Sequence, residues 1–512
     1  MRHIIATAGL WLTCMTTTAQ IKMPPVFKSA LVSVTDSGTL TYTPDRRGNT
    51  MPDFSRVGYH HNDKPLPVHP VRMEIGPVEG DNTAHIQQAI DALEALPSDE
   101  AGHRGVLLLR RGVYPVERTL MVKSSGIVLR GEGDATILLA TSHERYPVVK
   151  VSGQGLPQEI PGSRVDVTDD FVPVGTFSLT VSNASRFRVG DRVIVFRPAT
   201  QAWIHAIKMD RITERKGTRQ WSCEQFNLAF ERTVERVEGN RLWLDNPVVM
   251  QMEKRYGGGQ IYKYKFEGRV TEVGVEDLCI ASVYRDDDDA EHAWTGVMLD
   301  KAEDCWVSNV TTHHLANSAV WCERYAKNVT VQDCRCLEPK SVITGGYRYS
   351  FYNNGQQNLF MRCLTTEGRH DFVTGARVLG PNVFYQCNAS QTYADIGPHH
   401  RWACGTLYDN VVTDGAINVQ DRGNMGSGHG WAGVTQVLWN CHAKTVVVQS
   451  PWTTGTNYCI GTKAAKGKPA LDGRPEGVWE GWQESNLQIR SLFLAQLMQR
   501  RGMRWFLING TE

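Results

Sequence analysis

The chain has 512 residues, with 55 basic against 54 acidic side chains and a formal net charge of +1. That balance argues against a nucleic-acid binder, which carries a basic excess, so any anionic ligand must meet a local cluster of cations. An apolar content of 41% argues against disorder, and 512 residues exceed most single compact cores, a limit that a solenoid escapes by growing along one axis.

The chain opens MRHIIATAGLWLTCMTTTAQ. Arg2 and His3 make a positive head, an apolar run follows, and the small residues Thr17 and Ala19 sit at the −3 and −1 positions of a cleavage before Gln20. The run is too short for a permanent membrane span, and Trp11 and Thr13 fit an acylation box at Cys14 poorly. Residues 1–19 are therefore read as a signal peptide and the protein as secreted or periplasmic, with 20–70 an N-terminal extension. Of the 12 cysteines, 11 lie beyond this segment; the odd number and the lack of a CxxC pair fit neither a disulfide framework nor a zinc site.

GDNTAHIQQAIDALEAL, residues 80–96, predicts a helix, with Asn82 or Thr83 as its cap and Ile86, Ile90 and Leu93 as its apolar stripe. GVLLLRRGVYPV (105–116) and SGIVLRGEG (125–133) read as strands broken by glycine. Together the GD-x-T-x-x-IQ-x-AID helix, the LL-x-x-G-x-Y strand and the SGI-x-LRGEG strand resemble the entrance of the pectate-lyase-like right-handed parallel β-helix superfamily. The resemblance covers about 71–441 in layout, and only the entrance is specific in its motifs. It implies a right-handed β-helix beginning at 71–164, with that helix capping its N-terminal end, and carbohydrate-active chemistry, lyases above all. Fold likeness by itself assigns no activity.

From 165 to 252 the pattern changes. FSLTVSNASRFRVGDRVIVF and ERTVERVEGNRLWLDNPV read as alternating strands joined by turns, an inserted β subdomain forming one wall of a cleft. A repeat then occupies 253–462. VEDL, VSNV, VQDC, FMRC, FYQC, YDNV and LWNC end at positions 278, 310, 334, 363, 387, 411 and 441, at steps of 24 to 32 residues. A short β-rich unit at this period marks a solenoid, and stacked coils place equivalent side chains in columns about 4.8 Å apart. The expected class is all-β, a right-handed parallel β-helix with an N-terminal capping helix and an inserted β subdomain. Its cysteines are read as core. Residues 463–512 are read as a loop followed by a C-terminal capping helix over 485–501.

Polar residues gather between 348 and 429. Fourteen residues beyond the markers at 310, 334, 363 and 387 stand Arg324, Arg348, Arg377 and Arg401, a column that repels itself unless acids or a polyanion compensate. Guanidinium forks match carboxylates and sulfates. His370 lies between Arg369 and Asp371, and His399 and His400 precede Arg401 and Trp402. β-Elimination on a uronic-acid polysaccharide needs a group that neutralises the C5 carboxylate, a base for the C5 proton and an acid at the leaving O4. Arg401 and Arg348 are assigned to the carboxylate, His399 or His370 to the base, and Tyr349 or Tyr352 to the acid. Arg324, Arg369, Arg377 and His400 are assigned to substrate binding, Trp402 to sugar stacking, and Asp371 or Asp395 to orienting a histidine.

No cofactor is expected. Calcium, used by many lyases of the superfamily, is the alternative, with RDDDDAEH (285–292) as its oxygen donors. The partner read from these residues is an anionic polysaccharide or oligosaccharide, and the protein is read as a monomer without a membrane span. Two other functions compete. A glycoside hydrolase would draw its paired carboxylates from Asp371, Asp395, Asp409 and Asp421, and SGHGW (427–431) resembles the Gly-His-Gly of polygalacturonases without their accompanying motifs. A non-catalytic carbohydrate-binding solenoid explains arginines and aromatics but not the clustered histidines.

Overall fold

The computed structural model describes residues 26–484 and 486–503, so the leader segment lies outside the described residues. A ladder of 27 strands pairs in parallel and winds as a right-handed β-helix. One inward column runs in register from Leu107 and Leu129 through Val275, Val307, Val331, Phe360, Phe384 and Tyr408 to Leu438 and Cys459. Its aromatic members stack, with ring centroids 4.9 Å apart for Phe360–Phe384 and 5.3 Å for Phe384–Tyr408.

The repeated tetrapeptide is a sharp bend. Its third residue adopts a left-handed conformation in every copy: Asp277, Asn309, Asp333, Arg362, Gln386, Asn410 and Asn440 all have φ between 51° and 56°. Asn and Asp tolerate this region best because their short polar side chains bond locally, which explains their recurrence there. Here they also bond along the stack: Asn309 Nδ2 donates to Asp277 Oδ1 at 2.8 Å, and Asn440 Nδ2 to Asn410 Oδ1 at 2.6 Å. The cysteine that follows points inward. Cys334, Cys363, Cys387 and Cys441 are buried free thiols, each donating to a carbonyl of the coil before.

α1 (Thr83–Glu94) buries Ile86, Ile90 and Leu93 against the first coils. Its start differs from the sequence reading. The Asn82 side chain turns back to accept from Val78 N, and Asp81 Oδ1 instead accepts from Thr83 N at 2.9 Å. The antiparallel insertion runs from Gln158–Glu159 to Gln260–Lys265, wider than the 165–252 read from sequence, because Gln260–Lys265 pairs with Arg192–Arg197 and not with a coil. α2 (Gln201–Ala206) lies within this subdomain. A buried ionic cluster stitches it to the coils: Glu231 takes both terminal nitrogens of Arg269 at 2.7 and 2.8 Å, and Lys327 meets Glu303 at 3.0 Å.

Parallel pairing continues past Cys441 to Val478–Glu480. α3 (Leu492–Arg500) does not close the open end of the solenoid. Its Leu492, Phe493 and Ala495 pack on the outward apolar side chains Leu359, Val383, Leu407 and Val437, together with the N-terminal extension.

Five strands in adjacent register carry the polar region: β1 (Ser318–Cys322), β2 (Phe351–Asn353), β3 (Phe372–Thr374), β4 (Asp395–Pro398) and β5 (Ala416–Val419). Arg324, Arg377 and Arg401 follow β1, β3 and β4, but Arg348 precedes β2. The extra residues of that coil fall before Arg348, so it leaves the column.

Candidate active site

A cleft of about 600 Å³ opens over β2 to β5. Tyr349, Arg369, His370, His399 and His400 line it, together with Arg215, Arg422 and His429, to which the sequence reading gave no role. No aspartate or glutamate side chain is among its lining residues.

His370 stands just before β3, where the following coil supplies Asp395 at the start of β4. Nδ1 of His370 lies 2.7 Å from Asp395 Oδ1. The other oxygen of Asp395 accepts from Arg422 and from Asn418 Nδ2, the latter at 2.9 Å. Burial alone raises a carboxyl, but Arg422 and His370 hold Asp395 well below the usual carboxylate range. An ionised Asp395 fixes the tautomer of His370 with its proton on Nδ1, leaving the Nε2 lone pair for the cleft. His370 Nε2 is buried and has no protein partner.

Tyr349, just before β2, shares a hydrogen bond of 3.0 Å with His399 Nε2. Burial, then the neighbouring Tyr352, pushes the Tyr349 phenol well up, so it keeps its proton at neutral pH. The histidine rings crowd together: centroids are 4.4 Å apart for His370–His399 and 5.0 Å for both His399–His429 and His400–His429. Burial, then the neighbouring cations, lowers His399 strongly, His400 to about 3 and His429 to about 4. His399, His400 and His429 are therefore neutral at pH 7.

This cluster ties stability to pH. A histidine held below its unfolded value binds fewer protons folded than unfolded between the two values, so stability is full above about 6.5 and falls as pH drops toward about 4. The melting temperature is expected to decline across that window. A His400→Gln/His429→Gln variant should decline less, as thermal unfolding at a series of pH values would show.

The remaining sequence candidates fall elsewhere. Trp402 is no sugar platform: it is fully buried beneath the insertion, edge-on to Trp203 with centroids 5.1 Å apart. The Arg348 guanidinium is buried and holds the carbonyls of Ser341 at 2.9 Å and Asp287 at 3.1 Å, so no substrate carboxylate reaches it. Arg401 binds Ser427 O at 2.9 Å and Ser427 Oγ at 2.7 Å, fixing the loop that walls the cleft. Asp371 does not orient His370. It sits inside the coil, accepting from Ser350 Oγ at 2.9 Å and Thr365 Oγ1 at 3.0 Å, and burial raises it to about 6. Tyr352 lies outside the cleft, its ring 5.2 Å from that of Tyr349, and Arg324 and Arg377 line a neighbouring pocket.

The carboxylates proposed for hydrolysis do not face one another across the cleft. Asp409 accepts from Ser491 Oγ and Phe493 N at the foot of α3, and Asp421 pairs with Arg474. The 285–292 run fits a cation poorly, since Asp289 binds Arg285 and Asp287 binds Lys340. Among the described residues no group of three or more His, Cys, Asp or Glu side chains is placed to hold a metal ion. None of their helices is long and apolar enough to cross a membrane.

Arg422 and His429 both fall in the polar stretch between 348 and 429, and Arg422 follows β5 as Arg401 follows β4, but the count of fourteen from position 411 reaches Met425 and misses both.

No protein-family model matches this chain, and no curated protein sequence matches it. Similar solved structures include the tailspike protein gp49 from Pseudomonas phage LKA1, at 13% identity and TM-score 0.36 over 76% of this chain and 70% of that one. An alginate lyase from Paenibacillus is similar at 10% identity and TM-score 0.38, over 80% of this chain and 97% of that one. A mannuronan C-5 epimerase A-module from Azotobacter vinelandii reaches 10% and 0.34, over 80% and 94%. Likeness at these levels assigns no activity to this chain.

Proposed function

We propose that the protein is an exported polysaccharide lyase that cleaves a uronic-acid-containing chain by β-elimination. The observation that carries this reading is His370, oriented by Asp395 with Nε2 unpartnered, in a cleft lined by arginines and by no carboxylate. A hydrolase needs opposed carboxylates at the scissile bond, and this cleft offers proton carriers and cations.

Arg369 and Arg215 meet the substrate carboxylate; their charge stabilises the negative charge that builds on the acid group as C5 loses its proton. His370 Nε2 takes that proton. The C5–H electron pair forms the C4–C5 double bond, the C4–O4 bond breaks, and O4 takes the proton of Tyr349. The cycle closes when His370 gives its proton up to water and the phenolate takes one back from water, with His399 Nε2 accepting the hydrogen bond of the restored hydroxyl. The Nε2 atom of His370 has no protein partner to compete for the C5 proton.

The test is to incubate the protein with a panel of uronate polymers, with and without a chelator. New reducing ends that appear together with the ultraviolet absorbance of a conjugated unsaturated uronate support the reading. Reducing ends without that absorbance indicate hydrolysis, and binding with neither indicates a carbohydrate-binding solenoid. Loss of activity with the chelator would restore the calcium alternative.

A further inference from the structure

Beyond the cleft, an aromatic strip crosses β2 and β1. The Tyr349 ring is 5.2 Å from Tyr352, and Tyr352 is 5.0 Å from Trp321, both of the latter half-buried on the outer face. A Cβ added at Gly375 would lie 2.7 Å from the Tyr352 hydroxyl and 2.1 Å from Asn354 Oδ1, so these two polar groups crowd one bare stretch of backbone. Asn354 also lines a second cavity, of about 120 Å³, between the coils and the insertion.

Arg324 and Arg377 line that cavity, and its one acid, Glu231, is already saturated by Arg269 and Tyr264. Neither arginine has a carboxylate partner among the described residues. Glu323, next to Arg324, accepts from the Arg324 backbone and not from its guanidinium. Arg377 spends one nitrogen on Gln225 O at 2.8 Å, and its Nε is buried without a partner. Burial and the facing charges of Arg324 and Arg401 all disfavour the Arg377 cation. Cations that line one cavity without a counter-ion are stabilised when an anion completes them, and a cavity of this size admits one carboxylate or sulfate group.

We propose that Arg324, Arg377 and Asn354 form a second anion subsite, joined to the proton-transfer cleft by the Tyr352–Trp321 strip, which binds an acid group on another residue of the same polymer. The substrate is then a chain acidic at more than one residue. This inference rests on the proposed polysaccharide substrate but not on the proposed reaction.

The two are separable by measuring binding in a His370→Ala background, where the polymer is not consumed, with polygalacturonate, alginate and a sulfated glycosaminoglycan as probes. Adding Arg324→Gln or Arg377→Gln is expected to weaken binding about tenfold, as for loss of a charge-assisted hydrogen bond, and to flatten its salt dependence. An effect on every polymer assigns a carboxylate to the subsite, and one confined to the sulfated polymer assigns a sulfate. Because Arg324 is exposed, Arg324→Gln carries little folding risk. Unchanged affinity of that variant for all three probes would overturn the subsite, whatever reaction the protein performs.

Discussion

His370→Ala is expected to lower turnover of a cleaved uronate polymer by roughly 10²–10⁴-fold, the usual contribution of a positioned general base. The protein should stay folded, because Asp395 keeps its bonds to Arg422 and Asn418. Retention of full activity by a folded His370→Ala protein would remove the base from the mechanism. A circular dichroism melt beside the rate assay distinguishes loss of chemistry from loss of fold.

Asp395→Asn is expected to show a comparable loss of turnover, by a different route and with a cost in stability. An amide in place of the carboxylate offers His370 Nδ1 a donor, which favours the tautomer with its proton on Nε2 and removes the lone pair facing the cleft. It also leaves the buried Arg422 guanidinium without its counter-ion, a change that costs about 3–5 kcal/mol when a buried pair is broken. Denaturant unfolding should therefore separate the variants, with His370→Ala close to wild type and Asp395→Asn well below it. Equal stability of the two would mean that the Asp395–Arg422 pair does little for the fold.

The solenoid was legible because its constraint repeats. Each coil needs one left-handed bend and one inward side chain, so Asp or Asn followed by Val, Leu or Cys recurs through most of the copies. The site was legible only in part. His370, His399 and Tyr349 flank the short strands as the coil count implies. Arg348 left its column because the extra residues of its coil fall before it. Trp402 reads as exposed beside two histidines, yet Trp203 of the inserted subdomain, 199 positions away in sequence, packs on it. His429 stood out in SGHGW, but its place in the cleft was hidden for the same kind of reason, since it comes from a loop outside the coil period. Asp371 and Asp395 could not be ranked from sequence. Each lies within two residues of a strand start, and only the register decides which faces inward.

The central claim is that the hydrogen at C5 leaves the sugar as a proton, and its fate is directly measurable. A substrate carrying deuterium at C5 would be digested and the new chain ends analysed by mass spectrometry. The mechanism predicts unsaturated ends that have lost the label, with slower turnover than for the unlabelled chain. Chain ends that keep the deuterium at C5 would contradict it.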